Sequence, residues 1–311
     1  MIAFYLVYSF QLKVKLCFSN SSIFFINIDY CKNRLKMSGF YKEAAADDRY
    51  KKYVQKFWIL DNSHNSLTKP AGYALPNGCC TIVFVTGNGV LLNLAGKPVE
   101  LPAGVYLSGQ ITKRTSISVK PFSKAIMAQV KPWLPPVISN ISMDELVDNI
   151  VSLDTFNPFF NQRLTDLNLA DDRSVIQAVY KILDTCLHVD ADTHFIQWAY
   201  KKLSASASPA SIADIASASG YSQRRVEQKF KMLIGLTAKE IQSILQLRKL
   251  IDDLSNPVYN GHLGALALQH GYYDQSHFIR SYQRIIKESP SQFNANEYLL
   301  PFSGHFDFLQ L

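Results

Sequence analysis

Long apolar runs and paired cysteines are both missing from this sequence of 311 residues. Lys13 and Lys15 interrupt its first apolar region, so no run reaches the roughly 18 residues that span a bilayer. None of the five cysteines lies in a C-x-x-C pair or at zinc-ligand spacing: Cys17, Cys31, Cys79, Cys80 and Cys186. These absences disfavour a membrane protein, a disulfide scaffold and a zinc finger. We interpret the cysteines as reduced intracellular thiols, and nothing in their arrangement supports the alternative of a redox sensor.

Charge is scarce as well, because 18% of the residues are charged and 48% are hydrophobic. Such a composition is typical of a globular protein and excludes global disorder. The net charge of +7 is compatible with a polyanionic partner, but the region after position 211 holds ten Lys and Arg against nine Asp and Glu. Any basic surface in that region must therefore be local.

The first 36 residues differ in character from the rest of the chain. They are rich in Phe, Ile, Tyr and Asn, and their charges follow the apolar stretch, whereas a signal peptide places its charges first. Ordinary globular sequence begins after Met37. We therefore predict that residues 1–36 are a translated leader and that Met37 is the biological start, with an extra N-terminal strand as the alternative.

Short apolar segments separated by turn residues fill residues 37–140. Residues 81–85 form one such β-branched run between two turns, and the rhythm predicts a β-rich sandwich or barrel. After position 142 the apolar spacing becomes three and four residues, which predicts a helical connector over residues 141–203. Ser142 with Glu145 is predicted to form a capping box that opens a helix there.

A pattern that occurs twice near the end of the chain is its most informative feature. Each position from Ile212 through Tyr221 recurs 51 residues later, and after the turn the offset becomes 52. Each copy reads as a short helix, a turn at Gly220 or Gly271, and a longer helix, which is the sequence form of a helix-turn-helix. A fixed offset indicates a repeated unit. Two such units in one chain predict a reader of duplex DNA.

The longer helix of each copy is predicted to have one buried and one polar face. The core positions are Val226, Phe230 and Leu233 in the first copy and Phe278, Tyr282 and Ile285 in the second. The opposite faces carry donors that suit nucleic acid, since Arg pairs with guanine, Gln with adenine and Lys with phosphate. We predict these DNA-binding residues: Arg224, Arg225, Gln228, Lys231, Gln275, Ser276, Arg280, Arg284 and Lys287.

Residues 237–254, between the copies, are predicted to form one helix about 27 Å long. With a packed unit at either end, this helix could separate the two recognition helices by roughly 34 Å, one turn of duplex DNA. The alternative is a plain helical bundle with exposed Arg and Gln side chains. In the first copy Ser211 and Asp214 are predicted to form a capping box and Ser222 to cap the longer helix, and Asp274 is predicted to cap the longer helix of the second copy. A single glycine turn would leave the bundle open as an alternative, whereas a tandem copy with matching caps and core positions disfavours it.

Residues 271–282, which read GYYDQSHFIRSY and are followed by Ser289 and Pro290, resemble the signature of the AraC/XylS family of bacterial transcription regulators. The resemblance covers about residues 195–298 and extends to the first copy through these positions: Gly220, Tyr221, Ser222, Phe230, Gly235 and Arg248. It implies a seven-helix domain with two helix-turn-helix units joined by a long helix. It also implies base contacts from these residues: Arg224, Gln228, Gln275, Ser276 and Arg280.

Two positions depart from the pattern of that family. Gln228 stands where the family usually has Arg, and Lys287 stands where a glycine commonly ends the helix. Residues 75–79, 81–84 and 107–110 of the front half resemble, more weakly, the β-rich sensor-like domain that precedes this module in some family members. In the family such domains bind effectors or mediate dimerisation.

We therefore expect an α+β chain, with a β-rich N-terminal domain followed by an all-α domain containing two helix-turn-helix units. The predicted divisions are the leader (1–36), the β-rich domain (37–140), the connector (141–203), the DNA-binding domain (204–298) and a tail (299–311). The predicted function is a sequence-specific transcription regulator in the bacterial cytoplasm, with double-stranded DNA as its partner. RNA polymerase, a small-molecule effector and a second copy of the chain are partners left open.

Two other functions compete with this prediction. One is a metal- or redox-dependent enzyme, or an effector-binding protein, centred on the β-rich half. Such an enzyme would have to use His64, His188 and His194, which are scattered without ligand spacing. No nucleophile elbow, P-loop or dinucleotide fingerprint occurs, so we expect no enzyme, no cofactor, no metal and no membrane association. The other alternative is a scaffold that has lost DNA binding.

Overall fold

The computed structural model describes residues 14–19, 22–27, 40–138, 142–153, 171–186, 189–205, 210–256, 259 and 261–299. Within the predicted leader it describes only a hairpin of β1 (Val14–Ser19) and β2 (Ser22–Asn27), paired antiparallel. Met37, most of the predicted tail and residues 206–209 of the segment ahead of the repeat lie outside the described residues.

The β-rich half contains two further antiparallel sheets. The strands of the six-stranded sheet, in spatial order, are β12 (Ile150–Ser152), β9 (Gly104–Ser108), β6 (Cys80–Thr86), β11 (Ser123–Val130), β4 (Val54–Asn62) and β3 (Tyr41–Ala45). Those of the four-stranded sheet are β5 (Lys69–Ala74), β10 (Thr115–Val119), β7 (Val90–Leu94) and β8 (Lys97–Leu101).

The six-stranded sheet is buried on both faces because it lies between the four-stranded sheet and the helices. Alternate residues of β4 point to opposite sides. Trp58 and Leu60 join the core between the sheets, while Phe57 and Ile59 join the core beneath the helices. A strand covered on both faces reads as a continuous apolar run rather than an alternating one. That requirement explains the unbroken apolar sequence of β6.

The helices follow the β-rich half in sequence. They are α1 (Leu134–Ile138), α2 (Asp172–Cys186), α3 (Ala191–Leu203), α4 (Ile212–Ser219), α5 (Gln223–Ile234), α6 (Ala238–Leu254), α7 (Leu263–Gln269) and α8 (Gln275–Ile286). Tyr180 of α2 joins the helices to the sheet, since its ring stacks on Tyr50 at 4.2 Å and meets the edge of Phe57 at 5.8 Å. This order of elements confirms the predicted fold class. A β-rich half is followed by an all-α domain with two helix-turn-helix units and a long joining helix.

Several local expectations differ from the structure. The predicted capping box at Ser142 is wrong, because residues 143–146 form a single 3-10 turn and the Ser142 hydroxyl bonds to Asp144 instead of capping a backbone N–H. Four strands were not expected from the sequence: β3, β5, β8 and β12. β12 falls in the stretch predicted as a helical connector, and pairing with β9 holds it extended.

No helix in the described part of the chain combines the length and the apolarity needed to cross a membrane.

Candidate nucleic-acid interface

The first helix-turn-helix unit begins with a capping box, as predicted. The Ser211 hydroxyl accepts a hydrogen bond from the Asp214 backbone N–H at 3.1 Å, and the Asp214 carboxylate accepts one from the Ser211 N–H at 2.9 Å. The bonds that Ser211 donates lower the pKa of Asp214 below its usual value. α4 therefore starts at a fixed residue with two otherwise free N–H groups satisfied.

A left-handed glycine and a serine cap set the angle between α4 and α5. Gly220 ends α4 with φ of 72°, a conformation that side chains other than glycine disfavour. Two residues later, the Ser222 hydroxyl accepts a hydrogen bond from the Arg225 N–H at 3.2 Å and caps α5. These are the turn and the cap that the sequence predicted.

α5 has the two faces that its spacing predicts. Val226, Phe230 and Ile234 are fully buried, whereas Leu233, predicted as a core residue, is only half-buried. The predicted DNA-binding residues of this helix are all exposed: Arg224, Arg225, Gln228 and Lys231. The recognition face is thus formed by polar side chains that no other part of the described chain covers.

Lys229 of α5 has a role that its sequence pattern does not predict. It is only 2% exposed, its ammonium bonds to the Asp192 carboxylate in α3, and it lies 5.0 Å from the centre of the Tyr221 ring. A buried lysine needs such a partner because desolvation penalises an unpaired charge. Lys229 therefore attaches α5 to α3 and is not part of the recognition face.

The second unit repeats this design with different capping. No side-chain cap precedes α7 at His262, but the Asp274 carboxylate accepts a hydrogen bond from the His277 N–H at 2.6 Å and caps α8. Phe278, Tyr282 and Ile285 are buried as predicted. The predicted DNA-binding residues of this unit all lie at the surface: Gln275, Ser276, Arg280, Arg284 and Lys287.

Equivalent left-handed residues end both recognition helices. Gly235 closes α5 with φ of 92°, and Lys287, 52 positions later, closes α8 with φ of 66°. The departure from the family pattern at Lys287 therefore leaves the helix end in place, at the cost of about 1 kcal/mol for a left-handed residue that is not glycine. At Gly235 glycine is needed on two grounds, since a Cβ there would lie 2.5 Å from the Met143 carbonyl oxygen.

α6 joins the two units and is hydrogen-bonded to both. Its N-terminal amide, on Ala238, donates to the Glu227 carboxylate of α5 at 3.2 Å. Farther along, the Gln246 side chain donates to the His270 carbonyl oxygen at the end of α7, at 2.8 Å. Leu247 and Leu250 are among the buried residues of α6. The helix spans 17 residues, about 26 Å at 1.5 Å per residue.

The β-rich half, which in the structure extends through β12 to Ser152, contacts both units. Near the first, the 3-10 turn at residues 143–146 packs against the end of α5, where Gly235 meets Met143. Near the second, the Arg114 N–H donates to the Ile285 carbonyl oxygen at 3.0 Å, and the Arg114 guanidinium pairs with Glu288. The side chains of the recognition faces remain exposed and take no part in these contacts.

The exposed basic groups are available to an anionic partner. Within the described ranges, none of the following residues forms an ion pair: Arg224, Arg225, Arg280, Arg284 and Lys287. Lys231 lies 3.5 Å from the Glu240 carboxylate, but both side chains are nearly half exposed, and such a pair is worth little.

The described residues hold no group of three or more His, Cys, Asp and Glu side chains that could bind a metal ion. His64 and His194 are exposed and distant in sequence, and His188 lies outside the described residues. His194 bonds through Nδ1 to the Asp190 carbonyl oxygen of its own helix, at 2.9 Å.

Two family models match the chain. Residues 200–296 match a helix-turn-helix domain, and residues 42–152 match a domain of unknown function, DUF6597. No curated protein matches the chain. The C-terminal domain is therefore a helix-turn-helix domain, in agreement with its geometry.

Several solved structures are similar to this chain. ToxT from Vibrio cholerae has a TM-score of 0.41 and 9% identity, over 81% of this chain and 97% of ToxT. An AraC-type regulator from Chromobacterium violaceum has a TM-score of 0.27 and 21% identity, over 34% of this chain and 87% of its own. The C-terminal domain of AraT from Geobacillus stearothermophilus has a TM-score of 0.28 and 16% identity, over 37% and 93% respectively.

Proposed function

We propose that this chain, a DNA-binding transcription regulator with a helix-turn-helix domain of the AraC/XylS type, reads two adjacent major-groove segments of duplex DNA with α5 and α8. The observation that carries the proposal is the duplicated unit itself. Each copy buries one face of its longer helix and exposes donors for bases and phosphates on the other. A protein with this function acts on the chromosome, so we expect to find it in the cytoplasm of a bacterial cell.

The proposed roles follow from side-chain chemistry. Arginine forms two hydrogen bonds with guanine, and glutamine forms two with adenine. We assign base contacts to Arg224 and Gln228 in α5 and to Gln275, Ser276 and Arg280 in α8. The remaining basic residues are assigned to phosphates, which position the protein without reading sequence: Arg225, Lys231, Arg284 and Lys287.

We expect the separation of the two helices to suit B-form DNA. α6 contributes about 26 Å between the units, and the width of the packed units adds to it. Successive major-groove segments on one face of the duplex lie about 34 Å apart. One chain therefore supplies both probes, so that a second copy is not required for a two-part site.

The β-rich half is assigned a structural role. Met143 and Arg114 lie on different segments of it and contact the ends of α5 and α8 respectively. Because these two segments belong to one packed body, we expect the two contacts to limit the movement of one unit relative to the other. We assign the β-rich half to fixing the relative orientation of the two recognition helices.

Mobility shift with DNA from upstream of the gene that encodes this chain tests the function. Retarded migration that specific but not random duplex competes away is the expected result. The same affinity for all duplexes would contradict sequence reading, and no retardation would favour the scaffold that has lost DNA binding.

The affinity for DNA is expected to fall steeply with salt, because each phosphate contact releases counterions. Four phosphate contacts give a slope of about −3.6 for log K against log salt, so the affinity falls on the order of 100-fold between 50 and 200 mM salt. Lys231→Ala should reduce the slope by about 0.9 and weaken specific and random duplex alike. Fluorescence anisotropy over a salt series measures both.

The matched control is Lys181→Ala, which removes an exposed lysine from α2, away from both recognition helices. This variant should keep the slope of the unaltered protein. A slope near zero for the unaltered protein, or equal changes in the two variants, would contradict the phosphate assignment.

A further inference from the structure

The segment that follows α8 crosses from the second helix-turn-helix unit to the β-rich half. It runs through two 3-10 turns and then lies along β5. There Tyr298 pairs in parallel with Tyr73, and the Leu299 N–H donates to the Tyr73 carbonyl oxygen at 2.9 Å. Because β5 is an edge strand of the four-stranded sheet, its outer edge can accept such an added segment. We call residues 289–299 the strap.

Leu299, the last residue of the strap, belongs to the core between the two sheets. Its side chain is 3% exposed and lies in the apolar cluster that includes Ala71, Ala74 and Ile117. A residue that follows the second helix-turn-helix unit in sequence therefore completes the core of the β-rich half. Its return to water would expose apolar surface, which favours the docked position of the strap.

The backbone of β5 is adapted to the close approach of the strap. At Gly72, a Cβ atom would lie 2.5 Å from the Glu297 carbonyl oxygen, which is too close for a side chain. Gly72 also has φ of 112°, a conformation that residues other than glycine disfavour. Glycine inside a strand often marks the place where another backbone comes near. The sequence of β5 therefore fits a docked strap better than a free edge.

Arg114 of the β-rich half connects the strap to the end of α8. Its guanidinium pairs with the Glu288 carboxylate, donates to the Tyr298 hydroxyl at 3.3 Å and lies 4.5 Å from the centre of the Tyr73 ring. The Tyr298 hydroxyl in turn donates to Glu288. Burial and this bond raise the pKa of Tyr298, so its hydroxyl stays protonated and remains a donor. One arginine thus binds both the residue that precedes the strap and a residue near its end.

The contacts that hold the strap are local and can open without unfolding of either domain. They are a backbone hydrogen bond, one buried leucine and an ion pair whose two side chains are 22% and 17% exposed. Most residues from 291 to 297 lie at the surface. Segments with few buried apolar contacts open at a lower free energy than the whole protein unfolds.

We propose that the strap is a latch between α8 and the β-rich half, with a docked and a released state. The docked strap holds α8 where it and α5 engage two segments of one duplex, whereas release lets the second unit move relative to the first. Because coupling is reciprocal, a duplex that engages both helices stabilises the docked strap by the factor by which docking raises its affinity. This latch rests on the proposed reading of two segments.

Hydrogen exchange of the Leu299 amide in the full chain measures docking, because this N–H bonds to Tyr73 only when the strap lies on β5. The two-segment probe is the duplex from upstream of the gene, and in the one-segment probe random sequence replaces the part assigned to α8. The two-segment duplex should slow exchange at Leu299 by about 5- to 150-fold, the usual range of coupling between two sites. The one-segment duplex should leave this exchange unchanged.

Leu299→Asp should release the strap, because a carboxylate does not stay in an apolar core without a partner. Exchange at position 299 should then lose its protection. Affinity for the two-segment duplex should fall by the factor by which that duplex slows exchange in the unaltered protein, and affinity for the one-segment duplex should hold. The matched control is Leu67→Asp, at a leucine of the β-rich half that is 77% exposed, and it should change neither affinity.

A two-segment duplex that binds but leaves exchange at Leu299 unchanged would overturn the latch and leave the proposed function standing. A Leu299→Asp variant that exchanges freely and still binds this duplex as tightly as the unaltered protein would do the same. If no duplex binds, the proposed function fails and the latch fails with it. If Leu299→Asp does not fold, exchange in the unaltered protein still decides.

Discussion

Arg280→Ala is expected to weaken binding to the specific DNA site by about 1–3 kcal/mol, or about 5- to 150-fold. The side chain is exposed on α8 and forms no ion pair within the described residues, so its guanidinium is free to bond a guanine edge. Random duplex should lose much less, because it offers no matched base. Selectivity should relax at one base pair, which binding to a series of single-base variants of the site would reveal.

The control for Arg280→Ala is Arg173→Ala, which removes an exposed arginine from α2. It carries the same loss of charge but lies outside both units, so the specific affinity should be almost unchanged. Neither substitution should alter the melting temperature. Equal losses on specific and random duplex for Arg280→Ala would show that the residue contacts phosphate rather than a base.

Phe278→Ala is expected to lower the free energy of unfolding by about 3–5 kcal/mol. The ring is fully buried and lies 5.4 Å from the ring of Tyr272 and 5.7 Å from that of Tyr282, so alanine would leave a cavity in the core of the second unit. Because this core holds α8 in position, specific DNA binding should fall as well. Urea denaturation followed by circular dichroism measures the loss of stability.

Phe122→Ala is the matched control, since Phe122 is 56% exposed at a turn of the β-rich half. Its effect on stability should be within about 0.5 kcal/mol, as for most surface substitutions. A similar loss in both variants would contradict the assignment of Phe278 to the core that supports α8.

The sequence predicted well those features that depend on neighbouring residues. Caps at Ser211 and Ser222, and the turn at Gly220, depend on side chains within three or four positions, so a local pattern was enough to find them. Because a fixed offset relates the two copies, the same prediction applied to the second unit. The offset also accounts for the left-handed backbone conformation of Lys287, which matches that of Gly235.

Contacts between distant parts of the chain could not be predicted in the same way. Lys229 stands on the recognition helix as an ordinary lysine, and only folding brings it to Asp192, 37 residues earlier. The pair of Arg114 and Glu288 is separated by 174 residues. No periodicity marks such pairs, because they depend on how the domains pack.

The β-rich half shows the same division. The apolar run at residues 81–85 predicted β6 directly, whereas β8, with Pro98 and two charged residues in five positions, lacks a strand-like pattern and is held by pairing with β7. Two buried groups have no hydrogen-bond partner among the described residues, the indole N–H of Trp58 and the hydroxyl of Thr115. The sequence could not predict this, because a missing partner is a property of packing.

Methylation interference at guanine N7, an atom in the major groove, tests most directly the claim that α5 and α8 read adjacent segments. We predict two clusters of interfering guanines on one face of the duplex, centred about 10 base pairs apart. Arg224→Ala should erase sensitivity in one cluster, and Arg280→Ala in the other. A single cluster, or two clusters that respond to the same substitution, would contradict the account.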